Sequence, residues 1–182
     1  ISPGGSGYLS NPPLATGAKV VILDNDHIGP SYSYGAIWPW KAFLRGNNPI
    51  RMEPYGGLVG FAQRAEDEPF RFAMGDALAY SQTIDLLAAT PQNSRASSGY
   101  ALCSALRCAA IALAPNGNKF ASVAVTMPAG LYSVEWLEPE ARQITSGGTY
   151  NHGGGAHLYT APTKKTAYIL MLSETTQAAA AG

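Results

Sequence analysis

Charge is scarce in this chain. Asp, Glu, Lys and Arg make up 13% of its 182 residues, about half the usual share of roughly 25%. The 12 basic and 12 acidic side chains cancel, so no cationic surplus awaits a phosphate backbone, and no nucleic-acid partner is expected. No run of roughly 18 apolar residues occurs, which leaves no candidate membrane-spanning helix; stretches such as 168–172 are strand-sized. Cysteine is limited to Cys103 and Cys108. They fall on neighbouring predicted strands across the connection 104–107. They could bond if they face each other in an oxidising compartment, and side-chain direction cannot be read at this stage. Serine-nucleophile signatures are missing. The run Gly153-Gly154-Gly155 between His152 and His157 lacks the Lys-Ser/Thr and the βαβ context of a phosphate loop, so it reads as a flexible loop. No cofactor motif is present, and no cofactor is expected.

What is abundant is turn chemistry: Gly 20 and Pro 13. The texture changes near Thr90-Pro91-Gln92-Asn93-Ser94, a polar breaker. Before it, Lys19-Val20-Val21-Ile22-Leu23-Asp24 is a continuous apolar run ending in acid, the pattern of a strand buried on both faces. Trp38–Gly46 reads as a helix with Pro39 in its first turn. Trp40, Phe43 and Leu44 lie on one face, and Gly46 is suited to a left-handed terminus. A second helix is predicted over 68–88, with Phe70, Ala73, Met74, Ala77, Leu78, Ile84 and Ala88 on its apolar stripe. Gly75 inside it implies a close packing partner. After the breaker the period drops from 3.6 to 2. Candidate strands are 99–103, 108–113, 120–125, 131–137, 157–160 and 167–172, with turns at Asn116-Gly117, Pro128-Ala129-Gly130 and Ser146-Gly147-Gly148. Such spacing indicates an antiparallel β-sandwich.

The densest polar cluster is Asp24, Asp26 and His27 at the carboxyl end of the first strand, the end that faces ligands in α/β proteins. Two carboxylates and an imidazole there could bind sugar hydroxyls or do acid/base work, or simply cap the strand. Asp-x-Asp-His has no second ligand pair at a recognised spacing, so no metal is expected. Tyr32, Tyr34, Trp38 and Trp40 could offer stacking faces, although Trp40 fits a core position better. Arg45 and Arg51 read as structural, with Glu53 or Asp76 as partners.

These residues carry a resemblance. Val21-Ile22-Leu23-Asp24-Asn25-Asp26-His27, Trp38-Pro39-Trp40-Lys41-Ala42-Phe43-Leu44-Arg45-Gly46-Asn47-Asn48-Pro49-Ile50 and Met52-Glu53-Pro54-Tyr55 resemble the last strand and helix of apiosidase-like (β/α)8 glycoside hydrolases. Ala73-Met74-Gly75-Asp76, Ser97-Ser98-Gly99-Tyr100-Ala101-Leu102-Cys103, Gly130–Pro139 and Tyr159-Thr160-Ala161-Pro162 resemble that family's closing helix and its appended β-sandwich, usually labelled a collagen-binding domain. The chain departs from the family at Gly29-Pro30 and at Ser104–Cys108. A full barrel of this kind needs about 250 residues. The resemblance therefore implies an α+β fragment: 1–91 as the C-terminal end of a barrel with its last βα unit, 92–175 as the β-sandwich, and 176–182 as a disordered tail. The opening loop 2–7 and the closing alanines read as cuts in something longer. In a secreted or periplasmic parent acting on a polysaccharide or glycoside, both catalytic carboxylates would precede Ile1, in the missing N-terminal part of the barrel. Asp24, Asp26, His27 and Trp38 would then touch substrate. The alternative is a non-catalytic carbohydrate- or collagen-binding or structural module, whose mark would be an exposed strip of Tyr132, Trp136 and Tyr159.

Overall fold

The computed structural model describes residues 10–24, 35–51, 65, 68–115 and 119–175. In chain order these form β1 (Ile22–Asp24), α1 (Ile37–Leu44), β2 (Asn48–Ile50), α2 (Glu68–Ser81), β3 (Thr90–Pro91), a 3-10 turn (Asn93–Arg95), β4 (Ala101–Cys103), β5 (Arg107–Leu113), β6 (Ser122–Glu138), β7 (Gln143–Thr160) and β8 (Ala167–Glu174).

One antiparallel sheet dominates, in the order β3-β4-β5-β8-β6-β7. The end of β5 also meets the start of β6 through Leu113 and Ser122, so the sheet curls partly closed on itself. Its spine is the β6–β7 hairpin, 17 and 18 residues long. The hairpin is joined by a turn in which the buried Glu138 carboxylate accepts hydrogen bonds from the backbone N–H groups of Glu140 and Ala141, at 3.3 and 2.8 Å. The hairpin pairs continuously apart from a bulge at Val134/Glu135. The C-terminal half of β6 lies beside β8. Its N-terminal half leaves that layer to close over the inner face.

Alternation along the strands serves two cores. On β5, Cys108, Ala110 and Ala112 point inward while Ala109 and Ile111 point outward; on β8, Tyr168, Leu170 and Leu172 oppose Ile169 and Met171. The inner core adds Val123, Val125, Tyr132, Val134, Trp136 and Tyr159. The outer core packs Trp40 and Leu44 of α1 and Ala73 and Ala77 of α2 against the sheet. Each large apolar side chain buried this way contributes about 1.5–3 kcal/mol. Cys103 and Cys108 are register partners on β4 and β5, with Cα atoms 4.1 Å apart, and form a disulfide.

This arrangement overturns the expected last βα unit of a barrel followed by a sandwich. The described residues form a small, sheet-rich domain with two helices laid on one face of a curled six-stranded sheet, beside the two-stranded β1–β2 sheet. The run 19–24 is not buried on both sides: Leu23 is fully buried, whereas Val20 and Ile22 are 71% and 42% exposed. Among the described residues β1 pairs only with β2, in parallel and over three residues. The expected breaks at 128–130 and 146–148 are not breaks, because β6 and β7 run through both. The glycine run 153–155 between His152 and His157 likewise lies within β7 rather than in a loop. Gly154 and Gly155, at φ +88° and +81°, adopt the left-handed region and bend the strand without ending it.

The helices differ from expectation in detail. α1 ends as anticipated, with Gly46 at φ +76° and its N–H on the Phe43 carbonyl at 2.8 Å. A Cβ there would lie 2.7 Å from Pro91 Cγ, so only glycine fits both the turn and the contact. At the other end, the Ala36 N–H donates to Glu140 Oε1 at 3.0 Å, a carboxylate from the distant β6–β7 turn placed at the helix's positive terminus. α2 stops at Ser81, and Leu78, Leu86 and Leu87 remain exposed. Its sheet-facing contacts are alanines instead. Gly75 has open space where a Cβ would sit, not the close partner expected.

Candidate functional site

Of the sequence-predicted site residues, Asp24 closes β1 opposite Ile50. Asp26 and His27 lie outside the described residues, as do Tyr32, Tyr34 and Glu53. Trp38 is buried against Leu23 and Ala42 and stacks on Phe70 at 5.4 Å. Arg45 does not pair with Asp76, which is held by Arg142. Arg45 donates to Asn11 Oδ1 at 2.6 Å and the Pro12 carbonyl at 2.5 Å, and lies over the Tyr100 ring. Arg51 lies over Phe70. Tyr132, Trp136 and Tyr159 are 1%, 3% and 6% exposed, so they form no surface strip.

Two polar constellations escaped the sequence reading. The first is a ring cluster where β7 bends: Tyr132, Tyr150, His152, His157 and Tyr159. Tyr150 stacks on His157 at 4.1 Å and shares a 2.9 Å hydrogen bond with its Nδ1. His152 Nδ1 accepts the Gly154 N–H at 3.0 Å. A ring nitrogen that accepts carries no proton, so neutral His152 holds its proton on Nε2, which is buried without a hydrogen-bond partner, as is the Tyr159 hydroxyl. Burial lowers the His152 pKa and nearby His157 lowers it further; the Val125 backbone works the other way without giving Nε2 a well-formed bond. Burial, with Tyr150 and Tyr132, raises the Tyr159 pKa to about 12. The cluster is a packed plug of rings in which burial disfavours charge on His152 and Tyr159.

The second is a groove of about 500 Å3 between the second half of α2 and the outer face of the sheet. Asp76 and Tyr80 of α2, with Thr83 just beyond it, form one wall; Arg107 and Glu135 rise from β5 and β6, and Arg142 from the β6–β7 turn. Register explains the assembly. Ser173 is the partner of both Arg107 and Ser133, Met171 of Glu135, and Ile144 of Leu137. The floor therefore grades from hydroxyls and charge at one end to apolar side chains at the other. Arg142 donates from Nε and Nη2 to the two oxygens of Asp76 at 2.9 and 2.7 Å. Arg107 donates to the Thr83 carbonyl. Tyr80 is held edge-on or tilted by Phe43 and Trp40. Burial raises its pKa to about 12, with Arg107 opposing and Glu135 reinforcing, so its hydroxyl keeps its proton at ordinary pH.

No family model matches the chain, and no curated protein matches it. Solved structures do resemble it. One is a protein described as a glycoside hydrolase, with a TM-score of 0.56 and 11% identity over 76% of this chain and 36% of that one. Another is a glycoside hydrolase family 5 protein from Bacteroides vulgatus, with a TM-score of 0.55 and 10% identity over 76% of this chain and 35% of that one. The chain thus has a fold found within glycoside hydrolases, and it spans about a third of the length of the structures it matches.

Proposed function

We propose that this domain is a non-catalytic part of an apiosidase-like glycoside hydrolase that degrades polysaccharide, acting outside the cytoplasm, with its catalytic carboxylate pair supplied by polypeptide outside this sequence. The observation that carries the reading is the fold likeness to glycoside hydrolases, which covers most of this chain and a third of theirs. Three carboxylates of the described residues agree with it. Asp76 is tied to Arg142, Glu138 to its turn, and Glu140 to the start of α1. Glycoside hydrolysis needs two carboxyl groups about 5–10 Å apart across a sugar, and groups committed to backbone and guanidinium partners are poor candidates. Asp24, Asp26 and His27 are assigned to substrate contact, whereas Trp38, 1% exposed and stacked on Phe70, is a packing residue. A collagen- or carbohydrate-binding role through Tyr132, Trp136 and Tyr159 is disfavoured by their burial.

The test is an assay of the purified chain on aryl glycosides and apiose-containing glycans. No sugar release is expected. A rate above background that disappears in Asp76→Asn or Glu135→Gln would overturn the reading by locating catalysis in this chain.

A further inference from the structure

We propose that the groove between α2 and the sheet binds a short, neutral saccharide. The inference goes beyond the function proposed above and does not need it. The groove shares no residue with Asp24, Asp26, His27 or Trp38, and binding there requires no hydrolysis.

The argument starts from charge. Two guanidinium groups, Arg107 and Arg142, face two carboxylates, Asp76 and Glu135. The lining is balanced, so a phosphate, sulfate or uronate would gain no net attraction, and a cation would gain none either. A neutral ligand with many hydroxyls suits such a lining, because each hydroxyl both donates and accepts. The groove offers both halves of that exchange side by side. Arg107 donates, Glu135 is exposed and accepts, and the Tyr80 hydroxyl and those of Ser133 and Ser173 do either. Ser133 Oγ already donates to the Ser173 carbonyl at 3.2 Å, which leaves its lone pairs to accept.

Shape and floor point the same way. The volume lies within the range of about 300–1,000 Å3 typical of small-ligand sites. Leu137, Ile144 and Met171 present an apolar patch beside the polar groups, matching a sugar ring that carries C–H groups on its faces and hydroxyls at its edge. A peptide fits less well. β5, β8 and the second half of β6, which supply all of the strand lining but Ile144 of β7, are paired on both edges at the groove, so they offer an extended backbone no free N–H or C=O ladder. The site is also stiff: Asp76 and Arg142 brace one rim through paired hydrogen bonds, and Tyr80 is held by Trp40 and Phe43. Little ordering cost is left for the ligand to meet.

The experiment is a titration of the whole chain, followed by amide NMR and calorimetry, with xylotriose, cellotriose and arabinotriose as neutral probes. Trigalacturonate and trialanine serve as charged and peptide comparators. At least one neutral trisaccharide should bind, with the largest shifts at the amides of Tyr80, Arg107, Ser133, Glu135 and Ser173. Tyr80→Phe and Glu135→Gln, which keep the packing, should each weaken it about fivefold. Leu158→Ser, on the exposed edge strand, should leave it unchanged. Melting curves confirm that each variant is folded. The proposal is overturned if no neutral trisaccharide binds, if trigalacturonate or trialanine binds more tightly, if the shifts centre elsewhere, or if the folded Tyr80 and Glu135 variants bind as well as the parent chain. Sugar binding without hydrolysis leaves the proposed function intact; hydrolysis at this groove would sink that reading and not this one.

Discussion

The two faces of the β5–β8–β6 layer are built from the same strands and closed by different means. The inner face is filled with large rings, Tyr132, Trp136 and Tyr168 among them, and roofed by the returning hairpin of its own sheet. The outer face is roofed by two helices, α1 with Trp40 and Leu44 and α2 with the smaller Ala73 and Ala77, over Ala109 and Ile111. Rings make a deep core that needs no other element. Alanines let a helix come close, but the cover lasts only as long as the helix does. Where α2 ends, the outer face opens into the groove.

Four measurements can break or sharpen that contrast. The largest effect is expected from the two buried indoles, Trp136→Ala inside and Trp40→Ala outside, each costing about 3–5 kcal/mol. Hydrogen exchange should tell them apart. Loss of Trp136 should raise exchange throughout the sheet, and loss of Trp40 should raise it chiefly in α1 and α2. Equal exchange patterns would show that the faces are not energetically separate. Next, replacing Cys103 and Cys108 by alanine should cost about 2 kcal/mol in urea unfolding, the entropy of a short closed loop. A third effect is pH-dependent. The His152 pKa is lowered in the fold relative to about 6.5 in the unfolded chain. The unfolded chain therefore takes up a proton first as pH falls, and stability declines below about pH 6.5. The decline continues until the folded-state pKa is reached, at no more than about 1.4 kcal/mol per pH unit. His152→Phe should flatten that slope; an unchanged slope would assign the acid sensitivity to another group. Smallest, and opposite in sign, Gly75→Ala should stabilise by about 0.5–1 kcal/mol, read as a higher melting temperature. A loss there would mean that the open space beside Gly75 is filled in solution.

Local signals were read well where local physics decides. Pro39 lies in the first turn of α1 and Gly46 just past its end, and the alternation of Tyr132, Val134 and Trp136 correctly placed two aromatic side chains and a branched one on one face. The disulfide was visible as a possibility and needed the β4–β5 register to settle it. Long-range decisions were not legible. Pro128 and the glycines at 146–148 look like stops, yet a hairpin whose outer strand has no second neighbour can absorb a bulge and bends without losing its pairing. Of the predicted stripe on α2, Phe70, Ala73 and Ala77 are buried, whereas Leu78 is exposed. Val20 and Ile22 looked buried because a short apolar run does not report how many layers will cover it. The groove could not have been found, since Tyr80, Arg107, Glu135 and Arg142 come from four elements and share no sequence spacing. Asp26 and His27 were singled out by composition alone, and no geometry among the described residues bears on them.

The turn at Glu138–Gln143 carries a kinetic consequence. Everything the β6–β7 ribbon pairs with along its length is reached by closing that one short loop, after which each further pair brings together residues already held near one another. Hairpins of this kind form in microseconds, well before distant segments meet. The ribbon is thus set to zip outward from a carboxylate-pinned seed, and β8 and both helices, which gain their contacts only once it stands, should dock later.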